Sequence, residues 1–209
     1  MPRAILFALV FLFVTTTGVG AFEWAGVAKR VQASVVSLST VEGDIYCTGF
    51  VIDNRRDFVM TAAHCVEPKW IYSKGLVIDK RNAWVIWQDN AADLAVLQAP
   101  GVNRKELAVG NEPEVGQDVA AFGFGYGIKG LGMFRSGEVS STGVEFPEYK
   151  EMPGKWVMYN FAFISGMSGG PITDMDGKVV GIVQRSNDVI GLGRGVTEIY
   201  AATKDLWAK

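Results

Sequence analysis

From Ala33 onward the chain alternates short apolar runs with clusters of turn residues, a few strand-lengths at a time. Runs this short, rich in Val, Ile, Phe and Trp, predict β-strands rather than helices. They fall at 33–39, 45–52, 58–61, 83–87 and 94–98, and then at 119–124, 135–140, 155–163, 171–173, 179–184 and 196–202. Asp53-Asn54 and Asp176-Gly177 carry hairpin chemistry between neighbouring runs. A helical lead-in is expected over 22–31, and one or two helical turns at most over 203–209. With no long amphipathic helices between strands, the pattern excludes a βαβ sheet and predicts an all-β barrel or sandwich. The stretch 99–113, bounded by Pro100 and Pro113, is the natural linker between two halves.

The first 21 residues break this pattern. Met1-Pro2-Arg3 carries a positive charge, Ala4 to Val14 is uninterruptedly apolar, and Thr15 to Ala21 turns small and polar. That order reads as a secretory signal peptide over 1–21, cut after Ala21. The apolar run falls short of the ~20 residues a membrane span requires. The mature chain is therefore expected to be secreted or periplasmic, with no stable membrane insertion after signal removal.

Of 209 residues, 49% are hydrophobic and 20% charged, with a formal net charge of −2, which is the composition of a globular protein. No basic stripe offers a footprint for nucleic acid, so none is expected as a partner. An exported chain with two cysteines, Cys47 and Cys65, is expected to pair them. The bridge would be worth up to about 3 kcal/mol on the chain-entropy account. One histidine and two cysteines leave too few ligands for a zinc site. No metal or other cofactor is expected.

The chemistry concentrates in Ser165-Gly166-Met167-Ser168-Gly169-Gly170-Pro171. A serine nucleophile needs a tight turn that exposes its oxygen, with bare N–H groups beside it for a developing oxyanion. Ser168 is the nucleophile expected here, and the N–H groups of Gly166 and Ser168 the oxyanion hole. The general base must be His64, the sole histidine, which follows the apolar run 58–61. Its orienting carboxylate is expected to be Asp93, at the head of Leu94-Ala95-Val96-Leu97. Asp89, the competitor, lies in the polar loop 88–90. Gly125-Tyr126-Gly127-Ile128-Lys129-Gly130 matches a dinucleotide fingerprint, but that motif requires a following helix. Gly132 to Gly137 is no helix, so these glycines are expected in a barrel loop.

These residues resemble the trypsin-like, chymotrypsin-fold serine peptidases. Thr61-Ala62-Ala63-His64-Cys65, Asp93-Leu94-Ala95 and Gly166-Met167-Ser168-Gly169-Gly170-Pro171 match that family's three motifs in its own order, except at Met167. Within it, the short spacings, Ala33 to Leu38 and Val115 to Ala120 look most like the compact bacterial HtrA/Deg branch, although no PDZ module follows. The resemblance implies two six-stranded antiparallel Greek-key β-barrels with the active site between them. Residues 22–105 would form the first barrel, carrying His64 and Asp93, and 106–209 the second, carrying Ser168. It also implies a serine endopeptidase acting on proteins or peptides. Its disulfide would clamp the histidine loop through Cys47 and Cys65. Its primary pocket would be walled by Ala162, Phe163, Ile164, Gln184, Arg185, Ser186 and Gly195. No carboxylate stands at the pocket base, which favours small or apolar side chains before the cut. Arg185 or Arg194 could instead offer charge to an acidic substrate. Methionine at 167 cannot form the ion pair by which a new N-terminus activates trypsins, so no such switch is expected. A catalytically silent binding protein of this fold, or an esterase with the same triad, are the alternatives.

Overall fold

The computed structural model describes residues 19–67, 75–128 and 132–207. The signal-peptide reading therefore lies mostly outside the described residues, although the expected cut after Ala21 falls inside the first helix, α1 (Val19–Gln32). Seven strands follow: β1 (Val35–Ser39), β2 (Ile45–Asp53), β3 (Phe58–Thr61), β4 (Val77–Ile78), β5 (Arg81–Asn82), β6 (Trp84–Asp89) and β7 (Leu94–Gln98). They form one antiparallel sheet in the order β5-β4-β1-β2-β3-β7-β6. Six more strands, β8 (Asp118–Gly123), β9 (Met133–Val144), β10 (Trp156–Tyr159), β11 (Pro171–Thr173), β12 (Val179–Ser186) and β13 (Gly191–Gly195), close a barrel in the order β10-β13-β12-β11-β8-β9. Helix α2 (Val196–Trp207) ends the described chain. The all-β, two-barrel architecture is as expected, with the first unit a curled seven-stranded sheet and the second a closed barrel.

Burial explains the strands. In β7 the run Leu94 to Leu97 is buried on both faces, as a continuous apolar strand must be. Val36, Leu38, Val51, Val59, Ile78 and Leu97 fill the first unit, and Val119, Val139, Tyr159, Ile172 and Val183 fill the second. A third cluster joins them: Phe50, Met60, Leu94 and Val96 of the first sheet meet Val179 and Ile182 of the second. Each such side chain is worth about 1.5–3 kcal/mol when fully buried. This seam locks the two units at the level where β3 and β7 deliver the site residues.

Two strand expectations fail for identifiable reasons. Residues 196–202 were expected as a strand but open α2. Their β-branched residues favour a sheet, yet Val196, Ile199 and Thr203 are buried on a single helical face. The Glu112 carboxylate accepts Thr197 N–H in the first turn at 2.6 Å, satisfying an otherwise orphaned donor. The run 155–163 stops at Tyr159. Beyond it Phe161 and Phe163 pack against Tyr159 in one cluster of tilted and edge-on rings and lead into the serine turn. Strand β13, which no apolar run announced, is Gly191-Leu192-Gly193-Arg194-Gly195. Glycine disfavours strands, but here neighbours leave no room for more: a Cβ on Gly193 would lie 3.1 Å from Ile172 Cδ1 and close against Ile182 O.

Candidate functional site

The end of β3 runs into a 3-10 turn over Ala63–Val66 that lifts His64 to the surface of the seam. Asp93 waits at the start of β7, which pairs with β3 at Thr61 and Ala95. The two side chains therefore meet because their strands are hydrogen-bonded neighbours. His64 Nδ1 lies 2.8 Å from Asp93 Oδ2 and 3.1 Å from Oδ1. The His64 backbone N–H also donates to Asp93 Oδ1, at 2.9 Å. Asp93 is 8% exposed, so its carboxylate is held by the imidazole rather than by water. This pairing makes Nδ1 the protonated nitrogen and leaves Nε2 as the one that can accept a proton. Asp89, the alternative carboxylate, is occupied with the N–H groups of Ala91 and Ala92.

The serine turn comes from the other unit and is clamped against the first sheet. Thr48 N–H donates to Ser168 O at 2.9 Å, and Cys65 Sγ lies 3.6 Å from the same oxygen. Gly169, at φ 81°, sits so close to β3 that a Cβ would meet Ala62 N at 2.8 Å. Only glycine fits there. Ser168 is thereby held beside the segment that carries His64. Among the described residues its hydroxyl makes no hydrogen bond to the imidazole, a contact that often tightens only with substrate bound. The disulfide Cys47–Cys65, with Cα atoms 6.0 Å apart, ties β2 to the histidine turn at this point.

The backbone around Ser168 is arranged to present donors. Met167 N–H bonds Ile164 O, Gly169 N–H bonds Val183 O and Gly170 N–H bonds Met167 O. Among the described residues the N–H groups of Gly166 and Ser168 have no acceptor. Ser165 O accepts Tyr126 N–H at 2.7 Å. In a trans peptide N–H and C=O point opposite ways, so this bond aims the Gly166 N–H away from Tyr126. Met167 is fully buried among Val119, Ala121 and Ile172, where it anchors the turn by packing.

The expected pocket residues divide. Ala162, Phe163 and Ile164 line the approach to the turn, with Phe163 N–H held by Ser186 Oγ at 2.8 Å. Facing them is Gly191, where a Cβ would touch the Phe163 ring 2.6 Å from Cζ. The expected Gly195 lies elsewhere, packed on the Glu112 carboxylate, because Gly191 and not Gly195 pairs with Ser186. Gln184 turns inward: its Nε2 donates to Ala92 O and Asp93 O at 2.9 and 2.7 Å. Arg185 is exposed and borders a cavity of about 430 Å³ shared with His64, Asp93, Glu67, Gln88 and Asn90.

Arg194 is not at the surface at all. It is buried, stacks on Trp156 at 3.9 Å and donates to the carbonyls of Ala91, Ala92, Pro153 and Lys155. Burial pulls its pKa down, against the pull of Glu198 and Asp93, and it remains a cation at neutral pH. Arg194 and Gln184 thus support the Asp93 segment from beneath. Neither role carries a sequence signal; only the glycines flanking Tyr126, at φ 56°, hinted at the tight turn that holds Ser165.

The chain is similar to known proteins. Residues 47–182 match the family model described as a trypsin-like peptidase domain. The "Probable periplasmic serine endoprotease DegP-like" of Halomonas elongata is 31% identical over 69% of this chain and 31% of its own length. The "Pro-apoptotic serine protease NMA111" of Chaetomium globosum is 27% identical over 81% of this chain and 18% of its own. The chain thus spans about a third or less of the length of these relatives. Among solved structures, the active form of the Rv3671c protease from M. tuberculosis superposes with a TM-score of 0.72 at 23% identity, covering 94% of this chain and 93% of that one. Deg5 gives 0.71 at 20%, over 88% and 93%. At these identities the structural likeness speaks to fold.

Proposed function

The chain belongs to the trypsin-like peptidase family, and from that premise we propose that it is an extracytoplasmic serine endopeptidase working through His64, Asp93 and Ser168. The observation that carries the reading is the engagement of the sole imidazole through Nδ1 by a nearly buried carboxylate, which leaves Nε2 as the base. In this mechanism Ser168 Oγ attacks the scissile carbonyl carbon while Nε2 takes its proton. The carbonyl oxygen, now carrying the negative charge, is received by the N–H groups of Gly166 and Ser168. Each such donor is worth about 3 kcal/mol in the transition state. Collapse breaks the C–N bond, His64 gives its proton to the leaving amine, and a serine ester remains. Water, deprotonated by the same imidazole, then releases the second product.

The Phe163 ring packs on Gly191 among the residues expected to wall the primary pocket, which supports a preference for small or apolar side chains before the cut. The charged, then apolar, then small-residue pattern of residues 1–21 supports export. The test is cleavage-site profiling of a peptide library beside fluorophosphonate labelling, for wild type and Ser168→Ala. Cleavage and labelling lost together in the variant are the expected result. Labelling without peptide cleavage would point to an esterase, and neither in wild type would point to a binding protein.

A further inference from the structure

We infer that Thr48, in the first sheet, is a positioning residue for the oxyanion-binding turn of the second barrel. This rests on the serine peptidase reading, and it assigns a role to a side chain outside the triad. The Thr48 hydroxyl is completely buried and satisfied in both senses. It donates to Gly166 O at 2.7 Å and accepts Phe124 N–H at 2.9 Å.

These two bonds act on both sides of Gly166. The first fixes the 166–167 peptide, whose other end is held by Met167 N–H on Ile164 O. The second fixes the chain entering Gly125-Tyr126-Gly127, and Tyr126 N–H in turn holds Ser165 O and so orients the 165–166 peptide. That peptide carries the Gly166 N–H. Gly166, at φ 95°, has no side chain to resist rotation of either peptide, so its orientation depends on these external clamps. One hydroxyl thus ties both peptides flanking the donor to the sheet that bears His64. Tyr126 holds a left-handed φ of 56°, a conformation that costs energy outside glycine and that persists only while its surroundings hold it.

The backbone bonds of Thr48, N–H to Ser168 O and C=O from Thr61 Oγ1, do not involve its hydroxyl. Thr48→Val therefore deletes the two side-chain bonds at nearly constant volume, and Thr48→Ser keeps them while removing the methyl. We expect Thr48→Val to lower kcat on a cleaved peptide roughly 10- to 100-fold, short of the full loss of an oxyanion donor, with KM little changed. Thr48→Ser should stay within a few-fold of wild type. In ¹⁵N-labelled protein the Gly166 amide resonance should shift or broaden in Thr48→Val and not in Thr48→Ser. If Thr48→Val does not fold, Thr48→Ala supplies the second hydroxyl-free variant for the same comparison. Wild-type kcat with an unmoved Gly166 amide in the hydroxyl-free variant, or an equal loss in Thr48→Ser, would overturn the inference. A wild type that cuts no peptide refutes the peptidase reading instead, and the Gly166 amide still decides the role of Thr48.

Discussion

Asp93 occupies a left-handed backbone conformation, φ 55°, which aspartate tolerates better than most side chains. In that pose one carboxylate reaches both the ring and the backbone N–H of His64. Asn tolerates the same backbone but can present its oxygen or its NH₂ to the ring, so the imidazole loses its fixed tautomer. Asp93→Asn is expected to fold normally and to lose about 10⁴ in kcat, read by steady-state kinetics beside a urea titration. In the wild type, kcat/KM should fall across the acid pH range, because a protonated imidazole cannot take the serine proton. A profile flat across that range would remove His64 from the mechanism. Met167 gives a second prediction at this scale. Its apolar surroundings offer a carboxylate no partner, so Met167→Asp should lower stability by at least about 3 kcal/mol in urea unfolding. His64 and Ser168 were legible in the sequence because one is the only imidazole and the other sits in a glycine turn. Thr48 was not, because a threonine in a mostly apolar strand looks the same whether or not its hydroxyl holds a distant peptide.

Among the elements, the strands with uninterrupted apolar character were readable to the residue: β3, β7 and β11 match the expected 58–61, 94–98 and 171–173. Those whose identity depends on neighbours were not. Strand β13 is built on glycines that the barrel demands, and α2 on β-branched residues that a buried face and the Glu112 carboxylate turn into a helix. Arg194 shows the same dependence. It joins β13 to the loop before β7 and to the segment before β10 through four backbone carbonyls. Arg194→Met would remove the donor that these four carbonyls share, although Ala92 O would keep Gln184 Nε2, and a loss of about 3 kcal/mol or more in urea unfolding is expected. A fall in kcat beyond the loss of folded protein would show that Arg194 also holds Asp93 in place.

At the scale of the whole molecule, the proposed site lies at the seam between the two units. Phe50, Met60, Leu94 and Val96 pack against Val179 and Ile182 there, and Thr48 and Gly169 carry backbone contacts across it. Cys47–Cys65 reinforces the side that bears His64, closing a loop of 18 positions. Replacing both cysteines by alanine should cost about 3 kcal/mol, seen as a lower urea midpoint. Activity in the remaining folded protein should drop as well, because the histidine turn loses its tether to β2. An unchanged midpoint would mean that packing alone holds that turn.

By itself the sequence determined the class of fold and singled out the three side chains proposed to react, because apolar periodicity and rare residue types are local properties of the chain. Tertiary structure alone decided what clamps the peptides around Gly166, which glycine faces Phe163, where Arg194 is buried, and that 196–207 is a helix. Each of these depends on an atom supplied by a segment distant along the chain, such as Glu112 for Thr197 or Thr48 for Gly166. No local pattern of residues can announce such a partner before the chain has folded around it.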